Sequence, residues 1–206
     1  MQDAEQHAFR FLGGRPSLDL TATVGERWRD GIERLRDPAD LGRWLLEAGF
    51  AASPPTVTQQ ELHDARTLRE ALYRLCTVRG NGRPAGPGDI AVVNDWASRP
   101  PSRVWLAPAI ADDPPRRAGV SCLVERRETA TVAAALAEIA RDAVSLLGGP
   151  LAHRVRECAG DECALLFLDA SRGGRRRWCS MDACGARTKV AAYRARGRQR
   201  TAPAAA

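Results

Sequence analysis

Apolar residues return every three or four positions in several stretches of the chain, and this spacing predicts amphipathic helices. The clearest predicted helix lies between Asp37 and Gly49. Asp37 suits its N-cap, Pro38 suits its first helical position, and Gly49 suits the C′ position that follows the last turn. The apolar face of this helix comprises Leu41, Trp44, Leu45 and Ala48.

Three further helices follow from the same spacing. Residues 58–78 and 129–147 form the two long ones, and Asp89 is predicted to cap a shorter helix between them. Gly148-Gly149-Pro150 ends the last of these helices. The inward-facing residues are Leu62, Ala65, Leu68, Leu72 and Leu75 in the first, Ile90, Val93 and Trp96 or Ala97 in the second, and Val132, Leu136, Ile139, Ala143 and Leu147 in the third.

Strand patterns are fewer and shorter. Between Gly13 and Val24, every second residue is apolar at Leu18, Leu20, Ala22 and Val24. This alternation favours a strand, although a helix beginning near Ser17 remains open. Residues 98–108 and 116–125 flank a proline-containing turn and predict a β-hairpin. The first 150 residues are therefore expected to form a mostly helical domain with a small β element.

Composition agrees with a globular and largely helical protein, because hydrophobic residues make up 44% of the chain and aromatic residues only 5%. No stretch approaches the ~18 apolar residues of a membrane span. The first residues lack the basic segment and apolar run of a secretory signal. We therefore expect a cytoplasmic protein without membrane contact, where six cysteines favour metal binding over disulfides.

The net charge of +6 is distributed unevenly. From Pro150 onwards the chain has 12 Lys or Arg and 5 Asp or Glu, a balance of +7, whereas the preceding residues hold 19 basic and 20 acidic side chains. Only the C-terminal segment is therefore expected to approach a polyanion. Residues 201–206 are expected to form a disordered tail.

Four of the six cysteines form two close pairs, Cys158 with Cys163 and Cys179 with Cys184. Each pair encloses four residues, and fifteen residues separate the two pairs. Structural zinc sites commonly use two such pairs as four tetrahedral ligands, so we predict one structural Zn²⁺ held by all four thiolates. Two disulfides or unrelated buried thiols are the alternatives. The remaining cysteines, Cys76 and Cys122, lie in apolar segments and are interpreted as core thiols.

The segment between the cysteine pairs is expected to fold back on itself. Residues 164–169 are apolar and strand-like, residues 171–174 form a turn, and residues 175–179 return beside the first strand. This arrangement is a hairpin with a zinc-binding pair at its open end, and a helix is expected after Cys184. Because so small a unit has little core, metal binding would supply the missing stability.

Residues 158–196 resemble the CGNR zinc-finger family, whose pattern has a C-x4-C pair, an LF-D-S-R hairpin, an RRWCSM segment and a closing CGNR-x-K. The matching residues are Leu166, Phe167, Asp169, Ser171, Arg172, Arg176, Arg177, Trp178, Ser180, Met181, Gly185, Arg187 and Lys189. The upstream part is similar to the helical ABATE domain that usually precedes this finger. Its matching pieces are Gly13-Gly14-Arg15, Leu18-Asp19-Leu20, Pro38-Ala39-Asp40-Leu41, Leu68-Arg69-Glu70-Ala71-Leu72 and Asn94. The resemblance implies a transcription regulator with a DNA-contacting finger and a sensory upstream domain.

Two residues depart from the pattern of these families. Ala186 stands where CGNR has its asparagine, and Ala22 stands where the first upstream motif has one. If the first asparagine reads a base or fixes a helix start, the specificity of this finger is altered. If the second lines a pocket, ligand binding is changed or lost. Neither replacement affects a metal ligand.

Basic residues surround the predicted zinc site. They are Arg172, Arg175, Arg176 and Arg177 on the predicted hairpin, followed by Arg187, Lys189, Arg194 and Arg196 on the predicted helix. Arginine suits both phosphates and guanine edges, so the helix could enter a major groove while the hairpin grips phosphate. Arg176 is expected to be such a phosphate contact. The alternative is that these side chains only solvate a small surface.

The sequence thus predicts an α+β protein with an ABATE-like helical domain at 8–150 and a zinc module at 151–200. The first is expected to sense a small-molecule ligand or to form a homodimer, and the second to bind double-stranded DNA in the nucleoid. The alternative function is a zinc-dependent adaptor that binds RNA or an acidic protein. An enzyme is not expected, because four thiolates leave zinc no open position. The histidines are also scattered, at His7, His63 and His153.

Overall fold

Five α-helices carry most of the structure in the computed structural model, which describes residues 7–81, 84–109, 123–127, 131–160 and 163–190. Within these ranges the helices are α1 Pro16–Thr21, α2 Pro38–Glu47, α3 Gln59–Asn81, α4 Pro87–Ser98 and α5 Val132–Leu147. The predicted apolar stripes of α2 to α5 meet in one core around the fully buried Trp44, except that Ile90 of α4, which was predicted to face inward, is exposed. No helix in these ranges is both long and apolar enough to cross a membrane.

The long predicted helices are confirmed, with small changes at their starts. The Asp37 side chain caps α2 by accepting the Asp40 N–H at 2.9 Å, and Gly49 has the positive φ of 80° expected at C′. The prediction that Asp89 caps the shorter helix is wrong, because α4 begins at Pro87 with Gly86 as its N-cap. Asp89 instead pairs with Arg74 of α3 at 2.6 Å.

Helix α1 settles the ambiguous segment near the N-terminus. Its start is held by Asp142 of α5, whose carboxylate accepts the Ser17 N–H at 3.1 Å and pairs with Arg15 at 2.6 Å. Leu18, Leu20 and Thr21 are all buried, so this single short helix lacks a polar face. The alternation of apolar residues therefore did not indicate a strand in this segment. The helix depends on a hydrogen bond between Ser17 and Asp142, which are 125 residues apart in the chain.

Three small antiparallel pairs complete the described structure. The pairs are β1 Val24–Gly25 with β2 Ile32–Glu33, β3 Val104–Pro108 with β4 Leu123–Arg127, and β5 Val155–Glu157 with β6 Leu166–Leu168. The β3–β4 pair confirms the predicted hairpin, although residues 116–122 of its second segment and Cys122 lie outside the described residues. Its strand β3 is largely exposed, with Leu106 at 73%.

The predicted hairpin of the zinc module pairs the wrong segments. Strand β6 pairs with β5, which precedes the cysteines, and not with residues 175–179. The first cysteine pair, Cys158 and Cys163, lies in the loop between these two strands in the chain. The later segment contacts that loop instead, through the Ala159 N–H, which donates to the Arg177 carbonyl at 2.8 Å.

The zinc module packs directly on the N-terminal segment. The Leu168 N–H of β6 donates to the Gly13 carbonyl at 2.8 Å. Leu166 of β6 lies in one apolar cluster with Leu18 of α1 and Leu146 of α5. The two parts of the chain therefore share buried surface, and α1 lies between them.

Asp19 makes the loop before α1 sensitive to pH. Its carboxylate accepts the Gly13 N–H at 2.8 Å. Burial raises the pKa of Asp19 from 3.8 to about 6, against the effect of this hydrogen bond, and the nearby Asp142 raises it further. Because the pKa is higher in the folded chain, the stabilising contribution is present below pH ~4 and is lost as the pH rises through about 6.

We predict that Asp19→Asn raises the free energy of unfolding by about 1–2 kcal/mol at pH 7.5, because asparagine can accept the same hydrogen bond without a buried charge. At pH 4 the variant and the wild type should be nearly equal. Urea titrations at both pH values with zinc held constant measure this difference. A gain of the same size at both pH values would contradict the assignment.

Candidate metal centre and nucleic-acid surface

The structure brings all four predicted ligands together. The sulfur atoms of Cys158, Cys163, Cys179 and Cys184 lie within 4.8 Å of one another. The Sγ–Sγ distance is 3.8 Å between Cys163 and Cys179 and 3.6 Å between Cys179 and Cys184. Zn–S bonds of ~2.3 Å in a tetrahedron require sulfurs about 3.8 Å apart. The four cysteines could therefore hold one zinc ion without rearrangement of the backbone.

Three local structures position these sulfurs. The first pair lies in the loop between β5 and β6, where a Cβ on Gly160 would come within 3.2 Å of the Cys184 Cβ. Cys179 follows the arginine-containing segment, and its N–H donates to the Cys158 sulfur at 3.3 Å. Cys184 lies in a wide helical turn, Met181–Gly185, which the Ser180 hydroxyl caps by accepting two backbone N–H groups.

The thiols of Cys158, Cys163 and Cys179 do not ionise independently of one another. Hydrogen bonds from Cys163 and Cys179 hold the pKa of Cys158 far below its usual value. Conversely, the bond to Cys158 raises the pKa of Cys163 and of Cys179. One thiolate is therefore stabilised at the expense of its neighbours, and a divalent cation supplies the charge that holds all four as thiolates.

A buried arginine from the helical part stands beside the sulfurs. Arg34 follows β2, is only 3% exposed, and donates to the carbonyls of Ala8 and Ala22 at 3.0 and 3.3 Å. Burial lowers the pKa of Arg34, and the neighbouring cation Arg10 lowers it further. No pattern in the sequence pointed to Arg34, because its position depends on how two distant segments pack.

Three arginines lie close to the clustered sulfurs. A small cavity of about 50 Å³ is lined by Arg10, Arg34, Arg187, Glu26 and Cys163. The Arg187 guanidinium also donates to the Cys184 sulfur at 3.5 Å. Zn²⁺ with four thiolates carries a charge of −2, and Glu26 adds one negative charge. The guanidinium groups of Arg10, Arg34 and Arg187 therefore lie where they would offset part of this negative charge.

Asp169 organises the arginine-containing loop. Its buried carboxylate accepts hydrogen bonds from the Ser171 N–H at 3.0 Å, the Ser171 hydroxyl at 2.6 Å and the Arg176 N–H at 3.0 Å. The Ser171 hydroxyl contributes most to the lowered pKa of Asp169. This residue matches the resemblance to the finger family, but its motif alone did not reveal that it joins both ends of the loop.

Arg176 is exposed like its neighbours, but its guanidinium also donates hydrogen bonds within the module. It donates to the Trp178 carbonyl at 2.9 Å and to the Cys179 carbonyl, and it lies 4.5 Å above the centre of the Phe167 ring. These contacts connect the loop to a metal ligand. They favour a structural role for Arg176 over the predicted phosphate contact.

The remaining predicted DNA-binding residues fall into two groups. Five are exposed on the module: Arg172, Arg175, Arg177, Arg187 and Lys189. Residues 186–190 are helical, as expected after Cys184, whereas Arg194 and Arg196 lie outside the described residues. The exposed basic residues therefore cover the loop and the first turn of the helix on one small module.

The two departures from the family patterns occupy different environments. Ala186 is exposed beside Arg187, at the start of the helical residues 186–190. Ala22 is buried against Cys158 and Phe167, and its carbonyl accepts the Arg34 hydrogen bond. Away from the sulfurs, Cys76 is half-buried in α3, where burial raises its pKa to about 12 and makes it an unreactive thiol.

Two family profiles match the chain. The ABATE profile, described as "Putative stress-induced transcription regulator", matches residues 14–150. The CGNR zinc-finger profile matches residues 154–197. A search of curated proteins found no match. The profiles confirm both resemblances noted in the sequence, and the second agrees with the zinc-compatible geometry of the four cysteines.

We predict that Cys179→Ser lowers the zinc content from one ion per chain and disorders the module, because the buried sulfur contacts both Cys163 and Cys184. Helices α2 to α5 have their own core and should persist. Zinc analysis and far-UV circular dichroism measure the two effects. Cys76→Ser is the matched control and should keep its zinc. Full zinc stoichiometry in Cys179→Ser would exclude the four-sulfur site.

We predict that Arg34→Gln weakens zinc binding by about 10-fold to 100-fold, as replacing a group behind the ligands commonly does. Competition with a chelator measures the affinity. Both Arg34→Gln and Arg34→Lys remove the guanidinium, but Arg34→Lys keeps the positive charge. The zinc affinity of Arg34→Lys should therefore lie closer to that of the wild type. Equal losses in both variants would mean that Arg34 acts through packing alone.

Proposed function

The chain belongs to the ABATE family and carries a CGNR zinc finger at residues 154–197, and on this premise we propose that it regulates transcription by binding duplex DNA through the finger. In this proposal Cys158, Cys163, Cys179 and Cys184 hold one structural Zn²⁺. Residues 8–150 sense a small molecule or form a homodimer, and residues 151–200 bind DNA. Such a protein acts in the cytoplasm and associates with the nucleoid.

The observation that carries this proposal is that the loop arginines are exposed and have no carboxylate partner in the described residues. Arg172, Arg175 and Arg177 are exposed, and no ion pair joins them to a carboxylate in the described part of the chain. The loop that bears them is held by Asp169 and lies next to a metal ligand. The Arg177 guanidinium also lies 5.3 Å from the centre of the Trp178 ring. Exposed guanidinium groups without a carboxylate partner suit phosphate contacts, which position a protein on DNA.

The helical turn after Cys184 offers a second contact. Arg187 and Lys189 are exposed there, and the Thr188 hydroxyl donates to the Cys184 carbonyl at 2.8 Å. The start of the helix is thus fixed relative to the metal centre. A short helix so placed could enter a major groove while the loop contacts the backbone. Chemistry on zinc is not part of this proposal, because four sulfur ligands leave no open position.

Selection of the zinc-loaded full-length protein against a random duplex DNA library tests the function. We expect an enriched sequence motif with the wild type and none with Cys179→Ser. Salt-sensitive retention without enrichment would contradict sequence-specific binding. Preference for single strands or RNA would favour the adaptor function.

Salt titrations on the selected duplex provide the control. Arg172→Ala and Arg175→Ala should keep zinc, bind more weakly, and each reduce the slope of log K against log salt by about 1. Arg103→Ala removes an exposed arginine before β3 and should change neither quantity. Arg176→Ala should instead lower zinc content, because its contacts lie within the module.

A further inference from the structure

A cleft separates the helical part of the chain from the zinc module. Its volume is about 760 Å³, within the range of sites for small organic ligands. Helices α3, α4 and α5 form one wall, and the segment from Ala152 to Glu157 together with Leu166 forms the other. The cleft is distinct from the metal centre, because none of the four clustered cysteines lines it.

The walls of this cleft are mostly apolar. Val93, Ala143 and Leu166 line it with buried side chains. Two large apolar residues on the same cleft are left exposed, Ile90 at 42% and Val144 at 46%. Exposed apolar side chains grouped in a concavity indicate a ligand-binding surface, because leaving them in water is unfavourable.

The polar side chains of the cleft include one arginine and one carboxylate. His153 and Arg156 line it from the side of the zinc module, and in the described residues neither side chain has a hydrogen-bond or ion-pair partner. Glu157 is the acidic residue of the lining, but it already accepts the Tyr73 hydroxyl. Asn94 adds an exposed amide from α4. An anionic group is therefore the complementary partner for Arg156.

We propose that this cleft binds a small organic anion with an aromatic or alkyl body, whose charge pairs with Arg156. The body would cover Ile90 and Val144. Such a ligand contacts α4, α5 and β5 together, so its binding stabilises the packed arrangement of the helices and the zinc module. By reciprocity, binding would then change the affinity of the finger for DNA. This regulatory consequence rests on the proposed function, whereas the binding itself does not.

Two fluorescent probes that share one ring system test the site. 1-Anilinonaphthalene-8-sulfonate carries a negative charge, and N-phenyl-1-naphthylamine lacks it. We expect the zinc-loaded full-length protein to bind one sulfonate probe per chain, and to bind the neutral probe more weakly. Absence of sulfonate binding would overturn the proposal, and this is the result expected if a second copy or terminal residues of the chain cover the cleft.

Three variants locate the bound probe. Val144→Trp fills the cleft from an exposed position and should abolish binding of both probes. Arg156→Gln should lower the affinity for the sulfonate probe by about tenfold, because a charge-assisted hydrogen bond is lost. The affinity for the neutral probe should not change. Leu106→Lys removes an exposed apolar residue of the β3–β4 hairpin and should have no effect.

The outcomes separate the cleft from other apolar surfaces. Loss of binding in Leu106→Lys but not in Val144→Trp would place the probe on the hairpin and overturn the proposal. Equal weakening of both probes in Arg156→Gln would overturn the assignment of an anion. Zinc content and circular dichroism of each variant verify that the fold is retained. None of these measurements uses DNA, so failure here is distinguishable from failure of the proposed function.

Discussion

The zinc module depends on the convergence of four sulfur atoms. Its own apolar cluster is small, and three of its members, Cys158, Cys179 and Cys184, are themselves candidate ligands. Apolar burial contributes about 25 cal/mol per Å², and so few residues cannot offset the entropy of ordering the loops between them. A shared metal ion would supply that stability, and the loop that Asp169 organises leads directly to one of its ligands, Cys179.

The module also uses residues from the other end of the chain. Ala22 and Leu12 complete the cluster around Phe167, and Arg34 places a buried cation beside Cys163. The Gly13 carbonyl accepts a hydrogen bond from β6. The helical part therefore contributes packing, charge and backbone pairing to the metal centre. The cleft on the opposite side of β5 and β6 is a product of the same arrangement.

The sequence was informative where local chemistry decides the structure. Asp37 and Pro38 predicted the start of α2, and the cysteine spacing predicted the sulfur cluster. The sequence was uninformative where contacts between residues far apart in the chain decide the structure. Helix α1 is held by Asp142, and strand β6 pairs with β5, which precedes the first cysteine pair, and not with the segment that follows it. Arg176 looked like its neighbours in sequence, yet only its side chain folds back over Phe167.

The position of Arg34 has an evolutionary consequence. The two parts of the chain look like modules that recombination could exchange among relatives. However, the buried cation beside the clustered sulfurs is Arg34, which lies more than a hundred positions before Cys158. A chimera that joined this finger to a helical part without that arginine would inherit a metal centre with less positive charge around it. The two parts are therefore expected to change together, as one inherited unit.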